Sequence, residues 1–207
     1  MRVSAREQYI QQLHELHTVH RKRVGAIQKT LDAAFTWDFL ENFPSVALEN
    51  NSVYTGEWSG THRQGVGQHH WANGDFYEGT WDQDFQHGCG RNVWTDGSVY
   101  TGEYTRNLKD GIGQHVWEDG SSYLGTWQQN RIAGVGLHVW PNQRRYLGEW
   151  KDELMHGFGI LEYPDTERYE GFWLEGKKHG KGQVVTPDGR RSKHCWLNGK
   201  IVNSCGT

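Results

Sequence analysis

The chain has 207 residues, with 27 glycines and 11 tryptophans but only 4 prolines, and an apolar fraction of 35%. That apolar fraction is too low for an ordinary two-layer core, so the buried surface must come largely from Trp, Tyr and Phe. High glycine with few prolines argues against a disordered chain and for short strands joined by turns. Charge is unevenly spread. Residues 51–176 carry 9 basic against 18 acidic residues, whereas Lys177, Lys178, Lys181, Arg190, Arg191, Lys193 and Lys200 face Asp188 alone in residues 177–207.

The N-terminal segment, residues 1–45, reads as helix. Tyr9, Leu13, Leu16, His20, Val24, Ile27, Leu31 and Ala34 recur at three and four residues, an apolar stripe close to heptad spacing. Ser4 with Glu7 makes a capping box at the start. The pattern predicts a helix from about Ser4 to about Asn42, stopped by Pro44. Such a helix would run about 55 Å at 1.5 Å per residue. It is expected either to dock along the aromatic groove of the sheet, in its own chain or a neighbour's, or to pair with another protein as a coiled-coil arm.

From residue 52 to residue 198 the chain repeats. Tyr-x-Gly recurs at Tyr54, Tyr77, Tyr100, Tyr123, Tyr146 and Tyr169, a step of 23 residues each time. Four residues after each Tyr stands Trp58, Trp81, Tyr104, Trp127, Trp150 or Trp173; paired glycines such as Gly88 and Gly90 follow, and then Trp71, Trp94, Trp117, Trp140 or Tyr163. Ten of the eleven tryptophans fall on two phases of this register, and only Trp37 lies outside it. Each unit predicts a hairpin. The first strand carries aromatics at alternate positions, a polar loop follows, and Asn73-Gly74, Asp96-Gly97 and Asp119-Gly120 close the units as tight turns. The strand glycines are expected to let large rings lie flat on the backbone. A seventh unit keeps Trp196 but has Ser192 and His194 in place of Tyr and Gly, as terminal repeats tend to. Residues 199–207 are left as a tail.

Tyr77-Glu78-Gly79-Thr80-Trp81 with His87-Gly88-Cys89-Gly90, and Tyr146 through Trp150 with His156 through Gly159, resemble the core motif of the MORN family (membrane occupation and recognition nexus). The resemblance spans about six to seven repeats. It implies a mainly β fold: an elongated single-layer antiparallel meander of tandem hairpins with aromatics along one concave groove, here preceded by the helix. It also implies a non-enzymatic scaffold, with a cytoskeletal, ciliary or flagellar axonemal setting and a cytoplasmic location. The groove residues carried over are Tyr77, Trp81, Tyr100, Tyr104, Tyr123, Trp127, Tyr146 and Trp150, and the expected occupant is an amphipathic helix, from a partner or from the chain itself.

The alternative is a peripheral tether that meets anionic phospholipid or an acidic protein through Lys177, Lys178, Lys181, Arg190, Arg191 and Lys193. An accessory subunit of a large enzyme complex stays open as well. The open edge of the last hairpin would favour dimerisation.

No catalytic site, cofactor or metal is expected, and no nucleic acid. The histidines at one repeat phase, His69, His115 and His138, stand two strands or roughly 9.6 Å apart, too far to share one ion. They are expected to pack or to hydrogen-bond instead. His14, His17 and His20 share helical spacing without a third kind of ligand nearby. No hydrolase elbow, HExxH or Walker loop is present. Cys89, Cys195 and Cys205 are odd in number and widely spaced, which points to a reducing compartment and away from a disulfide framework. Neither a leader sequence nor a membrane span is legible.

Overall fold

The computed structural model describes residues 4–35, 42–43 and 45–204. Helix α1 (Ala5–Ala34) comes first, followed by β1 (Val46–Ala47), β2 (Val53–Ser59), β3 (His62–His70), β4 (Phe76–Asp82), β5 (Phe85–Val93), β6 (Val99–Thr105) and β7 (Leu108–Val116). The chain continues with β8 (Ser122–Gln128), β9 (Arg131–Val139), β10 (Arg145–Lys151), β11 (Leu154–Glu162), β12 (Arg168–Leu174), β13 (Lys177–Val185), β14 (Arg191–Leu197) and β15 (Lys200–Val202). The strands form one 15-stranded antiparallel meander in chain order. The seventh repeat is therefore a real hairpin, and β15 lies in what the sequence suggests is tail.

Serine 4 caps α1 as expected: Ser4 N and Oγ both donate to Glu7 Oε2, at 2.9 and 2.8 Å, and Glu7 N donates back to Ser4 Oγ. The described helix runs to Ala34, and residues 36–41, its expected continuation, lie outside the described residues. Pro44, the expected stop, lies outside the described residues, as do Trp37 and Cys205. Cys89 is a free thiol but Cys195 is disulfide-bonded, so the reading of the cysteines as thiols is corrected at that position.

Pairing registers assign the side chains to two faces, because directly opposed residues share a face. On β4 and β5, Tyr77 opposes Asn92, Gly79 opposes Gly90 and Trp81 opposes Gln86, while Glu78 opposes Arg91. The same alternation holds in the other repeats, which gives an aromatic face and a second face.

On the aromatic face each repeat tyrosine is fully buried. Its ring lies across the glycine pair, and a Cβ on Gly90 or Gly113 would run into the ring of Tyr77 or Tyr100. The strand glycines thus exist to admit the ring. Register slips just after the first glycine, between Gly79 and Trp81 for example, and such a bulge frees a carbonyl. The tyrosine hydroxyl donates to it: Tyr77 to Thr80 O at 3.0 Å, Tyr100 to Glu103 O and Tyr146 to Glu149 O at 3.1 Å. Phe in the same place would leave that carbonyl unpaired.

The described residues fall into two compact units. One holds described residues of Met1–Val19, Asp119–Thr126 and Arg131–Thr207; the other holds those of His20–Glu118 and Trp127–Asn130. They are called the C-terminal and N-terminal units below.

In the C-terminal unit, α1 packs on the second face. Leu13 joins Leu147 and Phe158, with Ile10, Val135 and Leu137 around them. Tyr9 stacks on Phe158 at 5.6 Å, and Arg6 pairs with the buried Glu170. In the N-terminal unit, Arg23 of α1 pairs with Glu103 at 2.6 Å on the second face, and Val24, Ile27 and Leu31 are buried. The helix therefore docks on its own chain, as one expectation had it, but on the face opposite the tyrosines. The glycine-backed rings on the aromatic face are already covered by their neighbours, whereas the second face needs a cover.

Candidate functional site

The aromatic face is built in layers. At the bottom, tyrosines and the rings four residues on alternate edge-to-face. Tyr54, Trp81, Tyr77, Tyr104, Tyr100 and Trp127 follow one another in the N-terminal unit at centroid distances of 5.1–5.5 Å. In the C-terminal unit Tyr123, Trp150, Tyr146, Trp173, Tyr169 and Trp196 do the same at 5.1–5.7 Å. Edge-to-face pairing puts the positive ring edge on the negative ring face. Four of the tryptophans also donate Nε1 to a strand-glycine carbonyl, Trp81 to Gly67 and Trp127 to Gly113 at 3.1 Å, Trp150 to Gly136 and Trp173 to Gly159. Tyr104, standing where a tryptophan is usual, cannot repeat this bond, and its buried hydroxyl has no partner among the described residues.

This layer holds all eight residues expected to line a partner groove. Tyr77, Trp81, Tyr100, Tyr104, Tyr123, Trp127, Tyr146 and Trp150 are 0–8% exposed. They are the core of the repeats and not a surface a partner touches, because only stacked rings and glycines are available to make a core here.

Above them lies a second layer. His69 stacks on Trp71 and His115 on Trp117, and His138 lies tilted against Trp140, each at 4.5 Å. Arg63 lies over Trp81 at 4.3 Å and donates to His69 Nδ1 at 2.6 Å. Lys109 sits 4.8–5.0 Å from Trp94, Tyr100 and Trp127 and donates to His115 Nδ1 at 2.8 Å. Burial pushes the Lys109 ammonium down to about 8. Burial, reinforced by the neighbouring cation, pushes His69 and His115 to about 4. Both imidazoles are thus neutral acceptors at neutral pH, in the packing and hydrogen-bonding role expected of them.

The corner rings, Trp71, Trp94, Trp117, Trp140 and Tyr163, are half-buried. In the N-terminal unit they meet a feature that sequence reasoning left as a generic polar loop. From the second repeat on, each hairpin tip is a two-residue turn with both residues at positive φ, such as Gln83-Asp84 (48° and 67°) and Arg106-Asn107 (49° and 67°). The second residue reaches across to the previous repeat. Arg63 N donates to Asp84 Oδ1 at 2.9 Å, Gln86 N to Asn107 Oδ1 at 2.7 Å and Lys109 N to Asn130 Oδ1 at 2.8 Å. Burial pushes the Asp84 carboxyl up, but hydrogen bonds from the Arg63 backbone, His62 and the Arg63 side chain outweigh it and hold it at about 2. The signal was present: Asp84, Asn107 and Asn130 all stand seven residues after a repeat tyrosine.

Between these tips and the corner rings the aromatic face of the N-terminal unit carries two adjoining clefts, of about 460 and about 640 Å³, sharing Asn50, Trp71, Gln86 and Asn107 as walls. Trp94, Tyr104 and Lys109 complete the first, and Arg63, His69 and Trp81 the second. Together they form a trough over the first three repeats. It opens where two departures from the repeat coincide, Tyr104 in place of the larger tryptophan and Gln86 in place of the cations Arg63 and Lys109.

The six basic residues expected as one anionic-partner patch do not form one. Lys178 lies on the aromatic face, 4.5 Å from Tyr169 and 4.8 Å from Trp196. Lys181 and Lys193 lie on the second face, since Lys181 opposes Cys195 and Lys193 opposes Gln183. Arg190 pairs with Asp188 in the turn before β14 at 2.8 Å, and Lys177 and Arg191 are exposed. Alternation along a strand sends neighbouring charges to opposite faces.

The MORN-repeat family pattern matches residues 54–76, 77–99, 100–122, 123–143, 146–168 and 169–189, well over half of the chain. The chain belongs to the MORN-repeat family. No curated protein matches it. Among solved structures, this MORN array is similar to the TCP domain of Drosophila melanogaster SAS-4 (dCPAP) in complex with a proline-rich motif of Ana2. Identity there is 12% over 76% of this chain and 92% of that one, with a TM-score of 0.47. It is also similar to the TCP10 domain of Danio rerio CPAP, with a STIL peptide (16% identity, 74% and 67% covered, TM-score 0.44) and without it (15%, 77% and 86%, 0.42). What those domains bind is theirs; the membership of this chain rests on its six repeats.

Proposed function

We infer that this MORN protein is a non-enzymatic scaffold that holds an extended segment of a protein partner in the trough of its N-terminal unit. The observation that carries this reading is the chemistry of the trough walls. Asn50, Asn107 and Asn130 each have Oδ1 engaged within the chain, and no described residue takes their NH₂ groups. Those donors suit the open carbonyls of an extended chain. A helical partner, whose backbone is already paired, has no use for them. Trp71 and Trp94 supply flat apolar walls, the residue type that dominates binding hot spots. An extended partner replaces the helical one expected from sequence, because the rings on which a helix would have lain are interior.

The setting inferred from the family is a multi-protein, cytoskeletal assembly, with the cilium or flagellum axoneme as its finer form. Contact with anionic phospholipid is the weaker reading, since the basic residues that would make it are divided between two faces.

Panning a random linear peptide library on the full chain tests the trough. Selected peptides should lose binding to Trp71→Ala/Trp94→Ala and weaken on Asn107→Ala. A selection that survives the double tryptophan variant would place the partner elsewhere and end this account.

A further inference from the structure

The second face of the C-terminal unit is covered only in part. Helix α1 enters with Arg6 at Glu170 on β12 and carries Ile10 and Leu13 toward Leu147 on β10 and Val135 and Leu137 on β9. Ala5, Arg6 and Tyr9 at its start border β13, β14 and β15. A recess of about 670 Å³ opens there, floored by Phe158, Phe172 and Val202, walled by Tyr9 of α1 and rimmed by Lys181 and Lys193. Phe172 and Tyr9 are 44% and 48% exposed, large for aromatic rings beside a packed helix. Neither lysine makes an ion pair with any described residue. The carboxylate at the recess, Glu170, is already taken by Arg6, Arg168 and Gln183.

The geometry points to this recess as the docking site for an acidic amphipathic helix of a protein partner. Two observations select that occupant. The adjoining strip of the same face already binds a helix, α1 itself, by apolar side chains in the middle and an ion pair at the side. The recess offers the same kinds of contact with the charges left open: two unpaired lysines on β13 and β14, flanked by Phe158 and Phe172 on one side and Val202 on the other, in a segment whose one carboxylate among seven cations, Asp188, is tied to Arg190 in a turn.

The test uses the full chain and a fluorescein-labelled peptide helix of Glu, Ala and Leu, with Leu at i, i+3, i+4 and i+7. A counterpart carries Lys for Glu. Anisotropy at physiological salt should show the acidic peptide binding and the basic one at least about tenfold weaker. Lys181→Glu/Lys193→Glu should reverse that preference, which also shows that the variant is folded. Phe172→Ser should weaken the acidic peptide, and Trp71→Ala/Trp94→Ala on the other face should leave it unchanged. Three outcomes overturn the proposal: no binding of the acidic peptide, equal binding before and after charge reversal, or sedimentation with phosphatidylserine vesicles through the same two lysines while the peptide is ignored.

Discussion

The two units meet the same helix on the same face with different chemistry. In the N-terminal unit the central row of the second face reads Thr55, Gln68, Glu78, Arg91, Thr101 and Gln114 across successive strands. The equivalent row in the C-terminal unit reads Leu137, Leu147, Ile160, Glu170, Gln183 and Lys193. The aromatic face is nearly the same in both. The fold thus depends on one face, and the other is free to vary. In the C-terminal unit that freedom is spent on apolar docking, and in the N-terminal unit on a buried polar ladder in which burial raises the Glu78 carboxyl and Arg91 and Gln68 offset the rise.

The sharpest way to break the comparison is in the apolar unit. Phe158→Ala should cost about 3–5 kcal/mol through the cavity it leaves. In denaturant unfolding with hydrogen exchange, amides near Ile10 and Leu13 should lose protection. Unchanged protection there would mean that α1 is not held by this cluster.

The polar unit can be converted to the chemistry of the other. Glu78→Gln alone should cost about 1–3 kcal/mol, because Arg91 loses its partner while remaining partly buried. Glu78→Leu/Arg91→Leu should recover to within about 1 kcal/mol of the parent or exceed it, since an apolar pair often replaces a buried ion pair without loss. If the double variant is worse than the single one, the polar ladder specifies the fold in a way leucines cannot.

Acid should act through the aromatic face. His69 and His115 have folded pKa values of about 4, below the ordinary 6.5, so the unfolded chain binds protons first as pH falls. Stability should be full above pH 6.5, decline between 6.5 and about 4, and decline no further through these two groups below that. Thermal melts followed by tryptophan near-UV circular dichroism would show the window, and His115→Gln should shrink it.

The smallest effect is at Tyr104. Tyr104→Trp should gain about 1 kcal/mol by supplying the indole N–H that the other repeats give to a glycine carbonyl, and it should fill the trough and weaken selected peptides. Tyr104→Phe should cost nothing, because the hydroxyl has no partner to lose. A Tyr104→Phe variant that melts earlier would show that the hydroxyl is bonded after all.

Much of this was written in the sequence. The 23-residue register, read through strand alternation, determined the hairpins, the meander and the stacked rings over glycines, because each depends on near-neighbour spacing within one repeat, and the apolar stripe behind Ser4 and Glu7 determined the capped N-terminal helix. Which surface is left for partners was not legible. Tyr100 and Trp127 look in sequence like an exposed stripe; only the assembled sheet shows that each ring is sealed by rings of neighbouring hairpins. The face that α1 covers was decided at the same level: its stripe of Leu13, Ile27 and Leu31 says that it must bury one side, and both faces of a sheet offer alternating positions. Lys178 and Lys181 crowd together in sequence and fall on opposite faces for the same reason, since burial and facing are properties of paired strands and a run of residues carries only the spacing.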